Sequence, residues 1–436
     1  MASEFTSRGL YLLRKNVLLY GLLLVTSLLF FSLVRNNTFW HSADFLYLEQ
    51  SIGVDSSWDD IFVTAPYQPF QPLVKLVFYA EYKLFGLDAK KYYLFNILVH
   101  SLNALFVYFL VVTLLRDRAI AYLSAFLFAC AVGNYGKAVM VVSGINDLLV
   151  TMLTLVTLLF YFKNELEKGG RMLTVWFVGS VAFFVLSLLT KATSFSILGC
   201  LLAFHFFFRA ETRRPVLNRT LITVAVIAVV ALVAKLAFLP DSSAREDLVI
   251  FGPQVFRNFA SYLVRMVFPI HGSSLVSDSG PAIQFVYKLA TEIRAITFLF
   301  IVSYSVFGFL FANRTIRFFI AWTYITVTPF CFFDFPRDWL NIQYLYLVSV
   351  GFIMILSSGT VFASRLLYQR RWRRFLPYAL PLFFVLLSQF IIFHLDKNYE
   401  RLAATPQAER MIEKVRMQRE SKESRIPAAR VPEETR

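Results

Sequence analysis

Long apolar runs alternate with short polar intervals along almost the whole chain. The runs fall at 16–34, 92–115, 119–133, 140–162, 172–189, 194–208, 220–239, 296–312, 318–333, 343–363 and 376–394. A helix rising about 1.5 Å per residue needs roughly 17–25 residues to cross a hydrocarbon core about 30 Å thick, and most of the runs approach that length. The pattern predicts an all-α, polytopic transmembrane bundle of about eleven spanning helices over residues 1–394. The first run follows Arg8, Arg14 and Lys15. It is too long for the apolar core of a signal peptide and lacks a small-residue cleavage site before Arg35, so it is read as a retained span.

One stretch departs from the pattern. In PQVFRNFASYLVRMVFPI, residues 253–270, Arg257 and Arg265 share roughly one helical face, away from most of the apolar side chains. That arrangement predicts an amphipathic helix lying in the membrane interface rather than crossing it. The basic loops then all fall on one side: Arg116 and Arg118, Lys163 with Lys168 and Arg171, Arg209 with Arg213 and Arg214, Arg314 and Arg317, and the group at Arg370, Arg371, Arg373 and Arg374. Positive loops mark the cytoplasmic face, which predicts a cytoplasmic N-terminus and an outer C-terminus. The outer side receives two long segments, 35–91 and 240–295, a shorter loop at 334–342 and a polar tail, 395–436. Connections of that length in a compact bundle usually carry function. Within the tail, ERMIEKVRMQRESKESR has helical composition, whereas IPAARVPEETR has the Pro and charge content of disorder.

Composition sharpens this picture. Of 436 residues, 58% are hydrophobic and 16% charged, and the mean hydropathy is +0.60, beyond the range of soluble domains. The net charge of +15 belongs to the inner loops, so it is a topology signal and implies no nucleic-acid partner. Cys130, Cys200 and Cys331 each lie in or at the end of an apolar run, and no disulfide framework or metal-ligand spacing is visible.

Several motifs occur in a fixed order. SADFLYL at 42–48 places an acidic residue among apolar neighbours soon after the first run. FQPLVKLVFYAEYKLFG at 70–86 and NILVHSLNALFVY at 96–108 follow, then VVSGINDLLV at 141–150, LLTKATSF at 188–195 and NIQYLYLVSVGFIMIL at 341–356. In this order the set resembles the GT-C class of polytopic glycosyltransferases, the polyprenyl-phosphate-sugar-dependent enzymes that include protein O-mannosyltransferases, over roughly residues 10–400. The resemblance implies a GT-C-like fold and a polyprenyl-phosphate sugar as donor substrate. There are departures. Gln71 and Gln343 stand where the family pattern carries Arg, Ala43 precedes Asp44 where many members have a second carboxylate, and Ala192 stands where a Glu often follows the Lys. An Arg would grip a phosphate through a charged fork that a neutral amide does not replace.

Transfer from a polyprenyl phosphate needs few groups, because the phosphate leaves without a general acid. It needs a carboxylate to accept the acceptor's hydroxyl proton or to hold a divalent metal, Mg or Mn. Asp44 fits either role, with Glu49 either a second metal ligand or, the preferred reading, simply solvated; the bland alternative is that Asp44 caps a helix beginning near Phe45. Lys137, Lys191, Arg245 and Arg337 are cationic candidates for the donor phosphate, and Gln71 and Gln343 border it if the family pattern applies. His100 lies inside the second run, either facing a polar cavity or packed with Asn96 and Asn103 at helical spacing. Asp147 is either a partner for a cation or a first-turn acid, and is read as structural.

The leading expectation is a membrane glycosyltransferase acting on the outer face, with membrane lipid and lipid-linked sugar as partners and a glycan, lipid or protein as acceptor. A bacterial inner membrane is favoured over the endoplasmic reticulum. The alternatives are a non-catalytic GT-C-like scaffold subunit, organising a protein partner through the C-terminal tail, and a transporter or flippase of lipid-linked saccharides.

Overall fold

The structure, a computed structural model, describes residues 17–54, 57–62, 70–130, 137–209, 215–237, 251–267, 281–332, 342–369 and 372–423. Among the described residues there are helices and turns and no strand. That is the expected solution for a chain in lipid, where each backbone N–H and C=O must find its partner within the segment.

All the predicted apolar runs are helical. They form α1 (Val17–Phe30), α4 (Ala89–Leu115), α5 (Arg118–Ala129), α7 (Ile145–Glu167), α8 (Val175–Leu188), α9 (Ser196–Phe207), α10 (Arg219–Ala237), α13 (Arg294–Phe311), α14 (Arg314–Cys331), α15 (Leu345–Leu366) and α16 (Ala379–Ala403). Between them lie α2 (Ser42–Val54), α3 (Pro72–Phe85), the single turn α6 (Lys137–Met140), α11 (Pro253–Val267) and α12 (Pro281–Glu292), and α17 (Pro406–Glu423) closes the described chain. Among the described residues, five helical segments are long and apolar enough to cross a bilayer: α4, Val142–Glu167 with α7, α13, α15, and Arg373–Ala403 with α16. The chain is therefore an integral, multi-pass membrane protein. Several other runs shrink to 10–17 residues, because the apolar stretches read from sequence include the turns that end them. The run at 119–133, for example, outlasts α5, which stops at Ala129.

Helix α7 is the axis of the bundle. Of its most apolar window 83% is buried, against 6% for α13, whose Ile296, Phe300 and Phe307 remain exposed as lipid-facing side chains would be. α4 packs between α5 and α7, α8 lies along α7, and α15 joins α5 to α14. The α14–α15 approach is set by Gly351: a Cβ there would stand 2.3 Å from Thr323 Oγ1 and 2.8 Å from the Phe319 carbonyl oxygen. Small residues at such crossings let backbones close in when lipid removes the hydrophobic drive between helices.

The two ends of the bundle differ. At one, Arg365 at the foot of α15 forks onto Asp117 at 2.6 and 3.1 Å, while Asp117 caps α5 by accepting from the Ala119 and Ile120 N–H groups. The opposite end carries α2, α3, α11 and α17. The stretch read as an interfacial helix is α11, burying Asn258, Tyr262 and Met266 on one face while Phe256 is exposed. Asn258 donates to the Cys331 carbonyl at 3.1 Å. The sequence breaks bundle from tail at 394/395, but α16 runs on to Ala403. Its first charge, Asp396, is carried inside the protein by a bond from Asn37 rather than released to solvent. The stretch 426–436, expected to be disordered, lies outside the described residues.

A crossing set by Gly351 makes a sharp expectation. Gly351→Ala overpacks the α14–α15 contact and lowers stability by about 1–3 kcal/mol, whereas Gly359→Ala on the same helix, with open space around it, stays within about 0.5 kcal/mol. Thermal unfolding of both variants in one detergent checks this; equal midpoints would refute it.

Candidate functional site

At the end that carries α2, the chain leaves and re-enters the bundle in short polar breaks, and there the candidate residues gather. Helix α2 starts at Ser42, three residues before the expected start near Phe45, with His41 as its cap. The His41 Nδ1 accepts from the Ala43 N–H at 3.3 Å. Asp44 reaches back, its Oδ2 accepting from the His41 N–H at 3.2 Å. The reciprocal pair is a capping box with histidine in the place of serine.

The other oxygen of Asp44 has a distant partner: Oδ1 accepts from the Ser143 N–H at 2.7 Å, across 99 residues. Ser143 lies in the tight turn Val142–Gly144, between α6 and α7. That turn needs glycine for space rather than for conformation, since a Cβ on Gly144 would fall 1.9 Å from the Ala138 carbonyl oxygen. Asp44 is fully buried. Burial raises its carboxyl above the usual range, opposed by the His41 charge and by the bonds from Ser143 and His41. His41 moves down, again chiefly through burial.

One turn further along α2, the Tyr47 hydroxyl donates to Gln71 Oε1 at 2.7 Å and meets Asn146. Burial pushes that phenol up to about 12, so it stays a donor at physiological pH. Gln71 caps α3 and is buried. Lys137 opens α6 half-buried, and burial pulls its ammonium down to about 8 against the attraction of Asp147. Asp147, in the first turn of α7, forms an ion pair with Lys191. The Lys191 Nζ also stands 4.6 Å from the centre of the Tyr344 ring, which stacks on Phe330 at 4.5 Å. A half-buried ammonium is thereby held by a carboxylate and a π-face together.

Of the residues singled out in the sequence, the fold thus brings together Asp44, Gln71, Lys137 and Lys191. Gln343 is partly exposed beside Tyr344. Arg245 and Arg337 lie outside the described residues. His100 stands apart within α4: its Nε2 faces the Ala129 carbonyl at 3.2 Å and its Nδ1 the Tyr346 hydroxyl at 2.7 Å. A carbonyl only accepts, so Nε2 carries the proton and Nδ1 accepts from Tyr346. Asn96 and Asn103, on the same face, donate to carbonyls of the α6–α7 break and of α7. This face of α4 supplies hydrogen bonds that the interrupted backbone needs.

The pair proposed from sequence for a metal does not assemble. Glu49 turns to Lys414 of α17 at 2.8 Å, while both Asp44 oxygens accept backbone N–H groups. Among the described residues no group of three His, Cys, Asp or Glu side chains converges to hold an ion. The donors do not fit a divalent metal at Asp44. Sequence reading missed His41, Tyr47, Ser143 and Tyr344, and took Asp147 as structural. For Ser143 and Asp147 the signal was the density of polar side chains in SGIND at the start of a deeply buried helix.

No protein-family model matches the sequence, and no curated protein matches it. Among solved structures, the chain is similar to the archaeal oligosaccharyltransferase AglB from Archaeoglobus fulgidus, in complex with an inhibitory peptide and a dolichol-phosphate. That likeness has 16% identity and a TM-score of 0.49, and covers 88% of this chain and 56% of AglB. ArnT from Cupriavidus metallidurans bound to undecaprenyl phosphate is similar at 14% identity and a TM-score of 0.46, over 88% of this chain and 76% of that one. At these scores the likeness describes helix arrangement alone, and no residue role is transferred from it.

The charge pattern predicts how Lys137 titrates. Competitive acylation read by mass spectrometry should give half-maximal labelling of Lys137 near pH 8. Because the Asp147 carboxylate raises the Lys137 value, Asp147→Asn moves the midpoint lower still. A midpoint that rises in Asp147→Asn would contradict the assigned contact.

Proposed function

We propose that the chain is a membrane glycosyltransferase that moves a sugar from a polyprenyl-phosphate donor to an acceptor hydroxyl at the end of the bundle carrying α2. One observation carries this reading: a buried carboxylate, Asp44, and two lysines, Lys137 and Lys191, gather at the breaks between helices on that end. The order of motifs resembling the GT-C class supports it. In the reaction the acceptor oxygen attacks the anomeric carbon and the bond from that carbon to the phosphate oxygen breaks. Polyprenyl phosphate leaves with the electron pair, and the acceptor's proton passes to Asp44. Its Oδ2 is the receiving atom, because its contact at 3.2 Å is the longer and weaker of the two. A raised carboxyl value makes a stronger base.

Lys137 and Lys191 offset the charge of the phosphate. Asp147 holds Lys191 in place until a phosphate oxygen competes for it, and Gln71, oriented by Tyr47, contributes an amide in place of a charged fork. The basic loops at the opposite end support an outer location for the site and a cytoplasmic N-terminus, in a bacterial inner membrane rather than the endoplasmic reticulum. The acceptor is a glycan, lipid or protein hydroxyl. Helix α17 leaves Arg410, Glu413, Arg416 and Met417 exposed, a face for a protein partner of the tail.

A second reading, a non-catalytic scaffold, is favoured by the engagement of both Asp44 oxygens with backbone N–H groups. Sugar transfer in membranes from radiolabelled polyprenyl-phosphate donors decides between the two. Asp44→Asn should lower the rate by roughly 10²–10⁴-fold. Lys137→Met and Lys191→Met should each raise the donor KM about 10–100-fold, the loss of a charge-assisted contact. Full activity in Asp44→Asn would remove Asp44 from the reaction. Absence of transfer from every donor, with assay controls working, would favour the scaffold.

A further inference from the structure

We propose that the outward extension of α16, together with α17, is a clamp that sets the position of Asp44; the proposal rests on the reading of Asp44 as the proton acceptor. The residues concerned are Asp396, Tyr399 and Lys414. They act as positioning residues, more than 350 positions along the chain from the segment they hold.

The segment that leads into α2 is short and non-helical, and it is fixed almost residue by residue. Asn37, buried, donates from Nδ2 to Asp396 Oδ1 at 2.8 Å, and Asp396 is itself 2% exposed. The Thr38 carbonyl accepts from the Tyr93 hydroxyl at 3.1 Å. The Trp40 indole stacks on the Tyr399 ring, centroids 4.2 Å apart and planes within 18°. Trp40 in turn meets the His41 ring edge-on at 5.4 Å, and His41 is the cap whose N–H Asp44 grips. Asp396 and Tyr399 are three residues apart on a helix, hence on one face. That face reaches the leading segment just ahead of Asp44.

The far half of α2 is held by the tail. Glu49 pairs with Lys414 at 2.8 Å, and Ala408 and Val415 of α17 are buried where that helix lies against α2. Thus α2 is gripped on one side by the bundle, through Asp44 and Tyr47, and on the other by the C-terminal helices. A carboxylate such as Asp396 is costly near the end of a membrane helix and tends to be kept where it has work to do. A reacting group must be held within about 0.5 Å to function, and along the 13-residue helix α2 the tail helix is one of the elements that hold it.

Hydrogen–deuterium exchange on the full chain tests the clamp without relying on activity. Asp396→Ala and Tyr399→Ala should speed amide exchange over 42–47 by about tenfold or more and leave α7 as in the wild type. Asp396→Asn keeps an acceptor oxygen and Tyr399→Phe keeps the ring, so both should retain wild-type protection. Lys414→Glu should loosen α2, and combining it with Glu49→Lys should restore it. In the transfer assay the two alanine variants should lose about tenfold in kcat at an unchanged donor KM. Wild-type exchange over 42–47 in both alanine variants would overturn the clamp. So would an equal rise across α7 and α15, which marks general loosening. Exchange that follows the clamp in a protein transferring no sugar would sink the enzymatic reading and leave the clamp standing.

Discussion

The bond from the Ser143 N–H to the Asp44 carboxylate ties together two parts of the structure on which the candidate site depends. On one side is a short helix outside the spans; on the other is the break from which the central helix α7 begins. An ionised carboxylate buried without partners is too costly to persist. Its two oxygens therefore dictate where α2 sits, which residue caps it, and how the turn Val142–Gly144 must present its backbone. Gly144 is a consequence of the same bond, since the turn can approach α6 closely enough only without a side chain. The polar face of α4 is another, because Asn96 serves the carbonyls of Val141 and Val142 that the interruption leaves open.

Membrane burial explains why these groups gather at one end. Helical backbone satisfies itself within lipid, but a break between helices exposes N–H and C=O groups that need side chains or water. Breaks are thus where polar residues are affordable, and where a charged ligand finds donors. Asp44, Lys137, Asp147 and Lys191 all lie at such junctions. The opposite end is closed differently, by the fork of Arg365 on Asp117. That contact is half-exposed and holds loops rather than opening a site.

The helices were legible because hydrocarbon imposes one strong rule on composition: each apolar run contains a helix, although five segments among the described residues are long and apolar enough to span. Their ends were less so. Hydropathy falls at Asp396, yet α16 continues to Ala403 because Asn37 and Trp40 wait there for Asp396 and Tyr399, and a linear reading does not register a partner so far away in the chain. The same limit applies at the site. Asp44, Gln71 and Lys191 stood out through motif order and Lys137 through its charge, but the bonds that organise them, Tyr47 to Gln71 and Asp44 to Ser143, depend on long-range contacts. Glu49 is the instructive failure. Five residues from Asp44 on a helix, it had the chemistry of a second ligand, and the tail helix claimed it.

In the proposed reading, Gln71 stands where an arginine fork was expected and changes the electrostatics of the site rather than merely weakening it. Tyr47 occupies the Gln71 carbonyl oxygen, which leaves the amide N–H₂ of that side chain as its donor group. Fixed positive charge then comes from lysines, which act as point charges on flexible stems and not as planar forks. One of them, Lys137, sits near 8 and so exchanges its proton close to physiological pH; the other is already committed to Asp147. Within that pair the charges of Asp147 and Lys191 cancel. A phosphate would have to break that pair, so in the proposed reaction the cost of assembling the anion site falls on the moment of donor binding.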